Sequence, residues 1–167
     1  MIAIIPARAT SKRLPNKNFK QFFGRAIIDW ALNEALKSEI FDRVVISTDT
    51  QEIPKSDAFD VYVRKNPTYE QTVDDVVKEV VDHYKADDYC VIYPTAYAVT
   101  AEHLLKGYGK FSFGMLNGEY KLDNGGFYYK GDLFLQGYEM PMVDINTMED
   151  FIKAKLHAMT LTCGRFK

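Results

Sequence analysis

The chain has 167 residues, 47% hydrophobic and 26% charged, a composition that is typical of a globular protein and excludes a disordered one. Its net charge of −2 gives no reason to expect a nucleic-acid partner, and no apolar run approaches a membrane span. Cys90 and Cys163 have no CxxC companion, which is typical of a reduced protein and predicts a cytoplasmic location. We predict one domain at 1–159 and expect a disordered C-terminal tail at 160–167.

Apolar runs that suit buried strands alternate with amphipathic segments that suit helices. The run IAIIP at 2–6 contains no polar residue, as expected for a strand that is covered on both faces. The helix predicted at 147–159 begins with TMED, in which Thr147 is the expected N-cap and Asp150 completes a capping box. The predicted elements, in chain order, are strand 2–6, helix 26–37, strands 43–48 and 59–63, helix 72–85, strand 89–94, a short helix at 100–106, short strands and turns in 111–129, a strand ending at 145, and helix 147–159.

This alternation predicts an α/β fold, a three-layer sandwich with a mostly parallel sheet and helices on both faces. Ligands of such folds bind beyond the carboxyl ends of the strands. The loops that leave those ends are expected to line one crevice. They are residues 7–18, 48–49, 94–99 and 144–146.

The first of these loops, ARATSKRLPNKN, is unusually rich in cations. Arg8, Lys12, Arg13 and Lys17 fall within ten positions, and Asn18 follows. The loop is neither a Walker A sequence nor a GxGxxG fingerprint, so side chains would have to bind an anion here. Phosphate oxygens accept strong charge-assisted bonds from such groups. The loop therefore indicates a phosphate site, and a merely solvated basic loop is the alternative.

IPARATSKRLPNKN resembles the opening signature of the cytidylyltransferases that make CMP-activated acidic sugars. Within them it is most similar to the CMP-sialic acid synthetases and their pseudaminic and legionaminic acid relatives. Further similar segments follow in family order, among them FDRVVISTDTQEI, CVIYPTAYAVTAEHL, DNGGFYY and MVDINTMEDF. The resemblance covers nearly the whole chain. It implies a Rossmann-like fold of the nucleotide-diphospho-sugar transferase type, and transfer of CMP from CTP to a sialic-acid-like nonulosonic acid with release of pyrophosphate.

The resemblance also implies a role for individual residues. Arg8, Lys17 and Asp144 would be catalytic, the two cations on the triphosphate and the carboxylate on Mg²⁺. Asn146 would be a second metal ligand. The implied nucleotide-binding residues are Ala7, Arg8, Ser11, Lys12, Asn18, Arg64, Pro94 and Thr95. CTP and a small acidic sugar would be the partners.

Several positions depart from the family pattern. Asn146 stands where an aspartate is usual, which removes one negative charge from the metal site. Asp75 either points towards the triphosphate or, as we prefer, faces solvent at its helix start. Asp49 either reaches the metal or caps a turn.

The region between Leu105 and Gly125 is shorter than in the family, where it carries sugar-binding residues and a dimer arm. A homodimer is implied by the resemblance, but its usual contact is either lost or rebuilt here. Two alternatives to the favoured activity stay open: a cytidylyltransferase of the 3-deoxy-manno-octulosonate type, and a nucleotide-binding homologue with weak or no catalysis.

Overall fold

The structure, a computed structural model, describes residues 1–54, 56–112, 126–130, 135–138, 142–161 and 166. Its strands are β1 (Ile2–Ala7), β2 (Gln21–Phe22), β3 (Arg25–Ala26), β4 (Arg43–Thr48), β5 (Asp60–Val63), β6 (Tyr89–Ile92), β7 (Phe127–Lys130) and β8 (Leu135–Tyr138). Its α-helices are α1 (Ile27–Ser38), α2 (Val73–Tyr84), α3 (Ala101–Ser112) and α4 (Met148–Thr160), and a 3-10 turn covers Lys17–Phe19.

Six strands form one sheet in the order β5-β4-β1-β6-β7-β8. β5, β4, β1 and β6 are parallel, β7 is antiparallel to β6, and β8 is antiparallel to β7. The predicted, mostly parallel sheet is therefore confirmed. β2 and β3 form a small separate hairpin that the sequence reading did not foresee.

β1 lies at the centre of this sheet, and its side chains alternate between two apolar cores. Ala3 and Ile5 belong to the core that α1, α3 and α4 cover, whereas Ile2 and Ile4 belong to the core under α2. Successive strand side chains point to opposite faces of a sheet, which is why a run without polar residues suits this position. Helices on both faces confirm the three-layer sandwich.

The predicted helices at 26–37, 72–85 and 147–159 are confirmed within one residue at each end. Thr147 caps α4 as predicted, since its side chain accepts a hydrogen bond from the Asp150 amide. None of the helices in the described ranges has the length and apolarity needed to cross a membrane.

Three expectations need correction. α3 runs to Ser112 rather than ending at 106, because Gly107 lets it pack closely on β7. No strand is found at 142–145, where the Val143 amide and the Ile145 carbonyl bond to the side chains of Tyr97 and Lys17 instead of a neighbouring strand. In the tail, Phe166 is buried in the core, against the expected disorder. The strands and turns expected in 113–125 lie outside the described residues.

Candidate active site

A cleft of about 380 Å³ opens beyond the carboxyl ends of β1 and β6, where the sequence reading expected a crevice. It brings together most of the predicted site residues, which are Arg8, Ser11, Lys12, Lys17, Asn18, Pro94, Thr95, Asp144 and Asn146. Arg13, Tyr69, Val73 and Tyr93 also line it. Four cationic side chains from one loop thus face one carboxylate and several neutral polar groups in the same cleft.

Arg8 is held in place by backbone carbonyls of the segment before α2. Its Nη1 donates to the Tyr69 carbonyl at 3.1 Å, and its Nη2 donates to the Gln71 carbonyl at 2.9 Å. A guanidinium has five N–H donors, so these two bonds orient the group and leave donors for a ligand. Arg8 is consequently a fixed cation at the cleft wall.

Tyr69 forms a face of the cleft that sequence reasoning missed. The Lys12 Nζ lies 3.8 Å from the centre of the Tyr69 ring, and the Arg8 Cζ lies 5.3 Å from it. Both distances are those of cation–π contacts. Tyr69 lies 61 positions from Arg8 in the chain, so no local pattern connects the two residues. The available signal was its position in NPTYEQT, just before a helix with acidic residues in its first turn.

Lys17 reaches across the cleft to the loop before α4. Its Nζ donates to the Ile145 carbonyl at 2.5 Å. Burial lowers the pKa of Lys17, Asp144 opposes that change, and the neighbouring Arg13 and Arg8 lower the pKa further. A bound polyanion would stabilise this partly desolvated ammonium, because the anion supplies the negative charge that the neighbouring cations lack.

Asp144, Asn146 and Arg13 form a chain of hydrogen bonds on the opposite wall. Arg13 Nη2 donates to Asn146 Oδ1 at 2.9 Å, and Asn146 Nδ2 donates to Asp144 Oδ2 at 2.6 Å. The reverse orientation of this amide would place donors against donors and acceptors against acceptors. The asparagine is thus a neutral bridge between a cation and an anion.

The donor set at this wall fits a magnesium ion only in part. Mg²⁺ is commonly bound by one or two carboxylates together with substrate phosphates. Asp144 is exposed and lines the cleft, so its carboxylate fits that role. The Asn146 oxygen already accepts from the Arg13 guanidinium, which places a positive charge beside the position that a metal would take. Among the described residues, no group of three or more His, Cys, Asp or Glu side chains could hold a metal.

Asn18 joins the cleft to the end of β1. Its Nδ2 donates to the Arg8 carbonyl at 3.0 Å, the residue is only 3% exposed, and its Oδ1 has no hydrogen-bond partner among the residues that the structure describes. A buried acceptor left without a partner is costly. Asn18 lines the cleft, but this oxygen is itself buried.

Ala7 and Arg64 do not line the cleft. Both are buried, and the Arg64 amide donates to the Thr48 carbonyl at 2.9 Å. Burial lowers the pKa of Arg64, and Asp49 opposes that change. Their contact with a nucleotide stays a prediction.

The structure decides between the alternatives for Asp75 and gives Asp49 a contact that neither of its alternatives foresaw. Asp49 binds the first loop, because its Oδ1 accepts from the Ala9 amide at 2.6 Å and its Oδ2 from the Thr10 hydroxyl at 2.5 Å. Burial favours the neutral form of Asp49, but these hydrogen bonds outweigh it and lower its pKa. Asp75 accepts from the Thr72 amide at 2.9 Å in the capping box of α2, as preferred from the sequence.

The fold and the cleft together define an α/β protein in which several cationic side chains line a cleft at the carboxyl end of the central strand. Residues 2–106 match the family model described as cytidylyltransferase, which is more than half of the chain, and the protein belongs to that family. The family resemblance read from the sequence is confirmed.

Two pseudaminic acid cytidylyltransferases of Campylobacter jejuni subsp. jejuni, from serotypes O:2 and O:23/36, are each 49% identical to this chain over 41 residues. The matched segment is 25% of this chain and spans only 18% of the length of each relative.

Solved structures show the same fold at low identity. The protein Rv0371c of Mycobacterium tuberculosis H37Rv has a TM-score of 0.65 and 13% identity, and the match covers 93% of this chain and 96% of that one. A CMP:2-keto-3-deoxy-manno-octonic acid synthetase complexed with CTP has a TM-score of 0.58 and 21% identity, covering 69% of this chain and 48% of that one. These likenesses confirm the nucleotide-diphospho-sugar transferase type of fold.

Proposed function

We propose that this protein transfers CMP from CTP to a sialic-acid-like nonulosonic acid and releases pyrophosphate. The observation that carries the proposal is the convergence of Arg8, Lys12, Arg13 and Lys17 on one cleft that also contains Asp144. A chain with a net charge of −2 has no general reason to concentrate cations there. A triphosphate has the charge that this arrangement would neutralise.

In this reaction a sugar hydroxyl gives its proton to solvent water and its oxygen attacks the α-phosphorus of CTP. The bond between the α-phosphorus and the oxygen that bridges to the β-phosphate breaks, and pyrophosphate leaves with that oxygen. Such transfers need little covalent help and depend on positioning and charge neutralisation. Arg8 and Lys17 would bind the phosphates. Lys12, which lies over the Tyr69 ring, would leave that ring and bind them as well. Asn18, which also lines the cleft, would lie beside the ribose.

A magnesium ion would be held by Asp144 together with phosphate oxygens of the nucleotide. When bound, it would neutralise negative charge on the triphosphate. Asp144 is the one carboxylate that lines the cleft among the described residues, so we expect metal binding to depend strongly on CTP.

The pseudaminic acid relatives support a nonulosonic acid rather than an octulosonic acid, because their 41-residue match reaches 49% identity. A second candidate function is nucleotide binding with weak or no catalysis. This second function is favoured by Asn146, which stands where a second carboxylate would bind the metal. The Asn146 side chain instead accepts a hydrogen bond from Arg13.

The decisive experiment measures pyrophosphate release from CTP and Mg²⁺ with a panel of nonulosonic and octulosonic acids, with UTP and ATP as controls. Release with CTP and a nonulosonic acid would support the proposal. A rise in melting temperature with CTP, but no release with any sugar, would favour the binding-only function. Neither release nor a CTP-dependent rise would overturn the nucleotide site.

Lys17→Met tests the cleft directly. We expect the CTP-dependent rise in melting temperature to disappear, because the ammonium that gains a countercharge is removed. The apo protein should lose little stability, because the partial burial of the ammonium is unfavourable and offsets the lost hydrogen bond to the Ile145 carbonyl. Lys130→Met, which removes an exposed lysine on β7, is the matched control and should keep the full response to CTP. An unchanged response in Lys17→Met would contradict its assignment.

A further inference from the structure

Residues 9–13 of the first loop connect β1 to the 3-10 turn and include two of the loop's four cations, Lys12 and Arg13. Among the described residues, no backbone–backbone hydrogen bond involves this segment. Backbone amides that are not paired in a helix or a sheet need other acceptors. The conformation of residues 9–13 therefore depends on side chains from other parts of the fold.

Asp49 supplies those acceptors at the beginning of the segment. Its Oδ1 accepts from the Ala9 amide at 2.6 Å, and its Oδ2 accepts from the Thr10 hydroxyl at 2.5 Å and from the Thr10 amide at 3.4 Å. Hydrogen bonds to an ionised acceptor are stronger than those between neutral groups. The same bonds lower the pKa of Asp49, so its carboxylate is charged at neutral pH.

The order of the strands brings Asp49 to this position. β4 runs parallel to β1 in the sheet, with Thr48 opposite Ala7, so the residues that follow the two strands leave the sheet side by side. Asp49, Ala9 and Thr10 are not among the described residues that line the cleft, and Ala9 lines a separate cavity beside α1. Asp49 consequently holds the loop from outside the cleft.

We propose that Asp49, acting largely through Thr10, is a positioning residue that holds the first loop in the conformation in which its cations face the triphosphate. This inference rests on the proposed function. Like charges in one loop repel each other, so conformations in which the cations spread apart compete with the one in the cleft. A backbone that is fixed at Ala9 and Thr10 before CTP binds spares the nucleotide the cost of ordering the loop.

The charge of Asp49, taken alone, predicts the opposite effect on CTP. A carboxylate behind the loop repels a bound triphosphate, so its removal would tighten CTP binding if the loop kept its conformation. A positioning role predicts that removal of the carboxylate weakens CTP binding. The sign of the change in CTP affinity therefore separates the two effects.

Isothermal titration of the full chain with CTP measures this sign. Asp49→Ala should raise the CTP dissociation constant about tenfold, and Thr10→Val, which removes the hydroxyl but keeps the shape of the side chain, about threefold. Thr10→Ser keeps the hydroxyl and should bind CTP as the native protein does. Asp88→Ala, at an exposed carboxylate before the amino end of β6, and Thr160→Val, at an exposed hydroxyl at the end of α4, are the matched controls and should leave the constant unchanged.

The double variant tests whether Asp49 acts through Thr10. Thr10→Val should add little to the effect of Asp49→Ala, because the bond between the two side chains is already lost. Fully additive effects on the CTP dissociation constant would overturn the role of Thr10.

Amide hydrogen exchange of the free protein tests the loop without a nucleotide. The Ala9 and Thr10 amides should exchange faster in Asp49→Ala and Thr10→Val than in the native protein, and at the native rate in Thr10→Ser and in both controls. Native exchange in Asp49→Ala, or CTP binding that is unchanged or tighter in that variant, would overturn the proposal. A native protein that shows the expected exchange pattern but does not bind CTP would overturn the proposed function and reduce Asp49 to a structural anchor of the loop.

Discussion

Asn146 has two roles in the structure, one through its side chain and one through its backbone amide. Its side chain bridges Arg13 and Asp144, and its backbone amide donates to Asp150 Oδ2 at 3.1 Å in the cap of α4. The neutral amide satisfies both charged neighbours at once. An aspartate at this position would keep the attraction to Arg13 but would face Asp144 with a like charge.

Asn146→Asp should therefore strengthen metal binding. Two adjacent carboxylates attract a divalent cation more strongly than one, and we expect the Mg²⁺ concentration that half-saturates CTP binding to fall about tenfold. Titration of the CTP-dependent melting shift with Mg²⁺ measures this change. Asn33→Asp on α1, outside the cleft, is the matched control for the added charge. An Asn146→Asp variant with native metal dependence would show that this wall does not bind the ion. A gain in pyrophosphate release would also show that the asparagine had limited catalysis.

At the scale of elements, α3 meets β7 at a point where there is no room for a side chain. A Cβ added at Gly107 would lie 2.9 Å from ring atoms of Phe127 and Tyr129, both fully buried. The Tyr129 ring cannot easily move, because its hydroxyl donates to the Leu104 carbonyl at 2.7 Å. Glycine is a poor helix former, so a helix that continues through Gly107 depends on this contact rather than on propensity.

Gly107→Ala and Gly109→Ala form a matched pair on the same helix. Gly107→Ala should lower the free energy of unfolding by about 1–3 kcal/mol through overpacking. A Cβ at Gly109 meets nothing within 4 Å. Gly109→Ala should therefore raise the free energy of unfolding by about 0.5–1 kcal/mol, because alanine loses less backbone freedom on folding. Urea denaturation of both variants measures the difference, and equal effects would contradict the close approach.

At the scale of the whole molecule, Phe166 ties the end of the chain to elements from the beginning of it. Its ring centre lies 4.5 Å from that of Trp30 on α1 and 5.4 Å from that of Phe23 in the β2–β3 turn. Tyr97 and Phe22 complete the aromatic surroundings at 6.2 and 6.0 Å. These contacts join segments more than 60 residues apart and are part of the core under α1, α3 and α4.

Phe166→Ala should lower the free energy of unfolding by about 3 kcal/mol, because it leaves a cavity that the surrounding aromatic rings can fill only in part. Urea denaturation monitored by Trp30 fluorescence follows the change next to the lost ring. Leu105→Ala, at a residue 46% exposed, is the control and should cost less than about 1 kcal/mol. If the loss for Phe166→Ala is no larger than for the control, the end of the chain is not part of the core.

Local patterns predicted the elements well wherever burial follows sequence periodicity. β1 is an unbroken apolar run because both of its faces are covered, and α2 is recognisable because its valines repeat at helical spacing and Thr72 caps it. The first loop could be predicted to bind an anion because its cations lie close together in the chain. The same reasoning failed at 142–145, where hydrogen bonds to Tyr97 and Lys17 replace a strand partner, and at Gly107, where packing outweighs helix propensity.

The amino-acid sequence by itself determined the alternation of strands and helices, the family, and the loop that supplies the cations, since each depends on residues close together in the chain. Only the tertiary structure decided which groups face those cations. Three contacts show this: Tyr69 lies under Lys12, Ile145 accepts from Lys17 and Asn146 accepts from Arg13, at separations of 57, 128 and 133 positions in the chain. Hydrogen bonds and ring contacts over such separations depend on how the strands order themselves in the sheet, and no local pattern specifies that order.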